Sequence, residues 1–286
     1  MRFLRQLRKL RNAIKIAVKG YKAGGVSSVI IAYPQYEDLL AGKTVLITGG
    51  GSGIGYAIAK KCVESGAKVL ISGRNEDKLS KAVQTIGESS CSYLQWDISD
   101  VKEVDNKLVE IEKKLGGRIC CLVNNAGVPP SKFWGEIDED EWDKIYGTNL
   151  KGLFFLTQAI TKRWNKEKHQ DYKKIINISS QGGFVGATYP YRMTKWDIRG
   201  LTEGLGMKLI KDKIIVNGIA PGIVKTSMQS FSLDQGENLY TYQNPIERVI
   251  LPEEIAELAL FLISDASNSI VGQTIVCDGG YTLHNK

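Results

Sequence analysis

Tyr191 and Lys195 stand four residues apart in YRMTK, directly after Pro190. A free tyrosine, with a pKa of about 10, gives up its proton reluctantly at neutral pH. On a helix, positions i and i+4 share a face, so an ammonium beside the phenol would favour its ionised form and lower that pKa. A phenol tuned in this way is a proton donor. Pro190 suits the first turn of such a helix, where its missing N–H costs nothing. The same spacing also arises on solvated helix faces, so the pair gains meaning only with partners.

A second chemistry lies upstream, where KTVLIT (43–48) runs into GGGSGIG (49–55) and then into YAIAKKCVESG. A β-branched run, a glycine cluster and an amphipathic stretch read as strand, tight turn and helix N-terminus. Such a turn brings the backbone close to a pyrophosphate, whose charge is met by free N–H groups and the helix dipole. A glycine loop without a ligand is the competing reading, and the loop's place after a strand weighs against it.

The elements that must position these groups alternate from Lys43 onward. Strand runs KTVLIT, KVLIS, CSYLQW, RICCLV, KKIINIS, KIIVNGI and GQTIVC are separated by helices expected at 53–65, 75–86, 100–115, near 139–164, 190–210 and 252–264. Seven β-rich runs between amphipathic helices imply an α/β fold with a parallel sheet wound on both faces. Ligands bind such sheets where the carboxyl ends of the strands meet a crevice.

Seven segments together resemble the short-chain dehydrogenase/reductase family, compact branch. TGGGSGIG fits its TGxxxGxG pattern, followed in order by NNAG at 124–127, NLKG at 149–152, INISS at 176–180, YRMTK at 191–195, APGIVKT at 220–226 and CDGG at 277–280. The likeness runs from Leu40 to Leu283. Together with the rules for strand connections it implies a Rossmann-type doubly wound sheet of seven parallel strands in the order 3-2-1-4-5-6-7.

The resemblance also implies roles. Ser180 would bind a substrate carbonyl oxygen, Tyr191 would donate its proton, Lys195 would hold the nicotinamide ribose, and Asn149 would anchor a water linking the lysine to solvent. Charge that builds on oxygen when hydride reaches carbon is what a placed hydroxyl and an acid stabilise. Ser180 precedes Tyr191 by eleven residues, where the family commonly shows about thirteen; Ser179 stands at twelve. Alternation along a strand puts the two serines on opposite faces, so one alone reaches the crevice. Ser180 is preferred because it aligns with the second serine of the family's ISS pattern.

Cofactor contacts are expected from Gly49, Ser52, Gly53, Ile54 and Gly55 in the glycine turn, Asp97 and Ile98 after the third strand, and Asn125, Ala126 and Gly127 after the fourth. Pro221 and Gly222 would shape the turn before Thr226, which would bond a carboxamide, and Tyr191 and Lys195 complete the set. At the end of the second strand, LISGRNED offers Gly73 and Arg74 in place of an acid. A carboxylate would repel a 2′-phosphate and a guanidinium pairs with one, so NADP(H) is expected over NAD(H). Plainer roles compete: an Arg74 facing water, an Asn125 serving only its turn, an ordinary Asn149, and helix caps at Asp97 and Thr226.

Charge and cysteine usage bound the rest. Residues 1–25 carry eight of the 38 basic residues and no acid, leaving 30 against 31 acidic residues in the body, so a nucleic-acid footprint there is unsupported. Phe3, Leu4, Leu7, Leu10, Ile14, Ala17, Val18 and Tyr21 form an apolar stripe opposite those cations. This basic amphipathic helix (1–25) could lie through residues 1–22 on an anionic membrane surface, pack on its own domain, meet another subunit or act as a targeting peptide. No apolar run reaches the roughly 20 residues that span a bilayer. Residues 26–39 read as a linker or docking arm, and 40–286 as one dinucleotide-binding catalytic domain with a substrate lid near 227–251, where Met228, Tyr240 and Tyr242 are candidate pocket residues. Five cysteines without a CxxC pair predict free thiols in the cytoplasm, and two histidines predict no metal site. The resemblance implies hydride transfer between NADP(H) and a carbonyl or secondary alcohol, and a homo-oligomer, with the substrate open among a sugar ketone, a 3-oxoacyl thioester and other carbonyls. A non-catalytic dinucleotide-binding sensor or scaffold at a membrane is the alternative.

Overall fold

A computed structural model describes residues 38–166, 171–226 and 239–284, together with Arg11, Ile14, Lys15 and Val18. The strands are β1 (Thr44–Thr48), β2 (Lys68–Gly73), β3 (Cys91–Gln95), β4 (Cys121–Asn124), β5 (Lys173–Ile178), β6 (Ile214–Pro221) and β7 (Thr274–Cys277). They form one parallel sheet in the order β3-β2-β1-β4-β5-β6-β7. Every residue of β1, β4 and β6 is buried, which is why these segments read as unbroken apolar runs instead of alternating ones.

Alternation assigns the side chains to two cores. Val45 and Ile47 of β1, Val123 of β4 and Ile219 of β6 join a cluster with α1 (Gly53–Glu64), α2 (Glu76–Ile86) and α7 (Pro252–Ile263). Leu46, Leu122 and Val216 point the other way, into a cluster with α3 (Val104–Leu115) and α5 (Leu153–Lys166). The remaining helices are α4 (Glu139–Tyr146), α6 (Pro190–Leu209) and the short α8 (Tyr281–His284), which the periodicity did not foretell.

The single helix expected near 139–164 is divided. A π-helical turn at Gly147–Gly152 separates α4 from α5. It lies tight against the loop after β3: a Cβ on Gly152 would stand 2.5 Å from the Ile98 carbonyl oxygen. π-Turns within α-helices occur often at functional sites, and Asn149 sits inside this one.

All five cysteines are free, with Cys121 buried and Cys120, just ahead of β4, half-buried. Among the described residues there is no His/Cys/Asp/Glu group able to hold a metal, and no helix long and apolar enough to cross a membrane. Arg11, Ile14, Lys15 and Val18 are helical, with Ile14 and Val18 of the apolar stripe 55% and 46% exposed. The rest of the tail, the arm through residue 37 and residues 227–238 of the expected lid, Met228 included, lie outside the described residues.

Candidate active site

β1 ends in Thr48, whose hydroxyl accepts hydrogen bonds from the backbone N–H groups of Asn125 and Ala126, each at 3.0 Å. In return the Asn125 amide donates to the carbonyls of Thr48 and Gly49, both at 3.0 Å. The glycine turn is thus tied to the end of the neighbouring strand. Gly49 takes φ +68, and a Cβ there would lie 2.9 Å from Ala126 Cα, so both backbone conformation and space call for glycine.

α1 begins without a side-chain cap, since Ser52 makes no capping bond, and its first turn holds no acid. Its first N–H groups therefore lack helical partners and face a site suited to an anion. A cleft of about 240 Å³ opens there, lined by Gly49, Ser52, Gly53, Ile54, Arg74, Asp97, Ile98, Asn125, Ala126, Gly127 and Thr226 from the expected set. Thr48, Ser72, Gly73, Trp96 and Thr148 complete the wall. An uncapped helix start, a glycine cradle and a guanidinium at the end of β2 fit a dinucleotide phosphate.

Gly55 and Pro221 are not in that wall. Gly55 serves close approach, because a Cβ would meet both the Asn125 amide nitrogen and the Gly49 carbonyl at 2.4 Å. Asp97 lines the cleft but caps no helix: its Oδ1 accepts from the backbone N–H and hydroxyl of Ser99 at 2.9 and 2.7 Å, closing a local turn, and the next helical segment starts after Asp100.

A second cleft, about 380 Å³, holds Ser180, Tyr191 and Gly222 together with Pro129, Pro130, Phe133, Gln181, Tyr189, Arg192 and Tyr281. Gly222 therefore falls on this cleft instead of the dinucleotide one. The two serines diverge as alternation requires: Ser179 is buried and donates to the Lys195 carbonyl at 2.8 Å, while Ser180 faces the cleft and accepts from Gly182 N–H at 3.1 Å. Neither Tyr240 nor Tyr242 lines either cleft. Gln181 and Phe133 carried no signal in the sequence, because they join the site only through the turns after β5 and β4, and Arg192, beside Tyr191 in the first turn of α6, reaches the cleft by the direction of its side chain.

Behind the cleft, Lys195 is buried, donates to the Ile178 carbonyl at 3.0 Å and stands 5.5 Å from the centre of the Tyr191 ring. Burial lowers its pKa to about 8. Tyr191 shifts opposite to the expectation from helical spacing. Burial raises its pKa, and the opposing influence comes from the Ser180 hydroxyl bonded to it. Asn149 is fully buried, and both ends of its amide are engaged by the Val128 backbone, at 2.8 and 3.1 Å. A buried row runs beneath: Asn124 donates to Thr157 and Asn177, each at 2.9 Å, and Asn177 donates to Thr202 at 3.0 Å, pinning β4 and β5 to α5 and α6.

A family model described as enoyl-(acyl carrier protein) reductase matches residues 49–282. A 3-oxoacyl-(acyl-carrier-protein) reductase of Chlamydia trachomatis is 35% identical over 248 residues, covering 85% of this chain and 99% of the relative. The chain belongs to the short-chain dehydrogenase/reductase family. An NADP-dependent (R)-specific alcohol dehydrogenase of Lentilactobacillus kefiri, from the same family of oxidoreductases, is 36% identical over 253 residues, covering 86% of this chain and 98% of its own. Among solved structures, a putative short-chain alcohol dehydrogenase from Sinorhizobium meliloti superposes with a TM-score of 0.77 at 32% identity, covering 87% of this chain and 99% of that one. An actinorhodin polyketide ketoreductase variant solved with NADPH gives 0.77 at 27% identity, over 86% and 99%.

Proposed function

We propose that this short-chain dehydrogenase/reductase transfers hydride between NADP(H) and a carbonyl or secondary alcohol, with Tyr191 as general acid and base. The observation that carries this reading is the meeting of the Tyr191 and Ser180 hydroxyls on one cleft, beside a glycine-lined cleft fit for a dinucleotide. The bound cofactor supplies the hydride; the chain's own residues position and polarise.

Ser180, oriented by the Gly182 N–H, presents a hydroxyl to the carbonyl oxygen. Tyr191 keeps its proton because burial holds its pKa up, and so arrives protonated at the oxygen it must serve. Lys195 spends one donor on Ile178, which leaves others for ribose hydroxyls. Both ends of the Asn149 amide are already committed to the Val128 backbone, which speaks against its side chain as the anchor of a water. Arg74 supports NADP(H), as does the absence of a carboxylate beside it at the end of β2.

Self-association is part of the proposal. An apolar groove of about 660 Å³ between the π-turn, α5 and α6 leaves Phe154, Phe155 and Trp196 39%, 41% and 41% exposed. NADPH oxidation over a broad ketone panel, with Tyr191→Phe as control, tests the activity: turnover should fall by about 10²–10⁴ in the variant. Dinucleotide binding without oxidation of NADPH by any ketone would reject it in favour of the sensor or scaffold.

A further inference from the structure

The second cleft carries a charge that hydride transfer does not use. Arg192 lines it beside Ser180 and Tyr191, and it is the only charged side chain among the described residues of that wall. No carboxylate is among the described residues that line this wall. One guanidinium nitrogen donates to the Gly186 carbonyl at 3.0 Å, and the group lies 5.3 Å from the Tyr189 ring centre.

Those two contacts fix the guanidinium without exhausting it. Tyr189 is itself braced edge-on by Phe133, with ring centres 5.2 Å apart, so the stacking partner is held in place. The aliphatic stem rests on the turn that carries Ser180, where a Cβ on Gly182 would stand 3.2 Å from Arg192 Cγ. A guanidinium has five N–H donors in a planar fork, and an edge left open matches a carboxylate or phosphate bidentately. Lys195 adds a second cation behind Tyr191. The field in the cleft therefore favours an anion, and a neutral ligand would leave the fork unmatched.

We propose that Arg192 is a specificity-determining residue that binds a carboxylate or phosphate group carried by the substrate. This rests on the hydride-transfer reading of the same cleft, and it narrows the substrate to an anionic carbonyl compound.

Two matched pairs test it: 3-oxobutanoate against its methyl ester, and dihydroxyacetone phosphate against dihydroxyacetone. The wild-type enzyme with NADPH should favour the anion of one pair by about tenfold or more in kcat/KM, and which pair responds tells carboxylate from phosphate. Arg192→Met should collapse that ratio, mainly through KM, and Arg192→Lys should restore part of it. No preference for either anion, or a ratio that survives Arg192→Met, overturns the assignment. Calorimetric titration of the same four compounds into the NADP⁺-loaded protein separates the two levels. Binding of an anion that disappears in Arg192→Met, with no NADPH oxidation across the broad ketone panel, would uphold anion recognition and reject hydride transfer. Equal binding within both pairs would reject anion recognition.

Discussion

Replacing Gly55 with alanine places a methyl group 2.4 Å from both the Asn125 amide nitrogen and the Gly49 carbonyl oxygen. The Gly49 backbone cannot easily yield, because its N–H is bonded to Ser72 at 2.7 Å and its φ is +68. The Asn125 amide must move, and with it go two 3.0 Å hydrogen bonds to Thr48 and Gly49. At about 1 kcal/mol for each bond, plus about 1–3 kcal/mol of overpacking strain, the loss is about 3–5 kcal/mol. For a domain of this size each kcal/mol shifts Tm by roughly 2–4 °C, so thermal unfolding followed by circular dichroism should fall by roughly 10 °C. The same turn shapes the dinucleotide cleft, so the NADPH Kd should rise about tenfold, the equivalent of about 1.4 kcal/mol. Asn125→Ala removes the obstructed amide, and the double variant should be less destabilised than the sum of the single ones. Unchanged Tm and Kd in Gly55→Ala, or strict additivity in the double variant, would refute the reasoning.

Ser180→Ala should lower kcat by about 10²-fold, whereas Ser179→Ala should cost about 1 kcal/mol of stability through the lost bond to Lys195 and keep turnover; steady-state kinetics with the reverse outcome would sink the assignment. Arg74→Asp should cut the NADPH-to-NADH ratio of kcat/KM by about tenfold or more, and a wild type at least tenfold better with NADH together with an inert variant would reject the cofactor choice. Lys174 is buried against Ser267 and Asn268, and burial lowers its pKa to about 8. Unfolded lysine titrates near 10.4, so between about pH 8 and 10 the unfolded chain holds the extra proton and this lysine's contribution to stability grows with pH. Urea titrations should show wild type gaining on Lys174→Met by up to about 1.4 kcal/mol per pH unit in that window, and a constant difference would contradict it. Co-sedimentation with anionic vesicles should require residues 1–22 and fade with salt if the basic tail meets a membrane; equal pelleting after their removal would exclude that role.

Much of the architecture was legible because binary patterns carry it. Short β-branched apolar runs bounded by turn residues, such as TVLIT and IIVNGI, suit strands buried on both faces, and seven of them with intervening helices leave few topologies. The glycine turn and the Tyr191–Lys195 spacing are local signals, readable because the residues that form each feature are sequence neighbours. Contacts that cross the sheet left no such trace. Thr48 and Asn125 are 77 residues apart, and nothing in GGGSGIG announces that its geometry depends on them. The π-turn around Asn149 was hidden because Gly147–Gly152 continues a helical pattern while packing against Ile98 opens it.

The chain's order of residue types determined which elements form, which of their faces are apolar, and where the glycine turn and the Tyr191–Lys195 pair emerge, because periodicity and backbone preference act within a few residues. Only the folded arrangement decided that Ser180 and not Ser179 borders the cleft, that burial outweighs helical proximity in setting the Tyr191 proton, and that Arg192 shares that wall. Desolvation and long-range packing set those outcomes, and both depend on neighbours that come together only when the sheet closes on its helices.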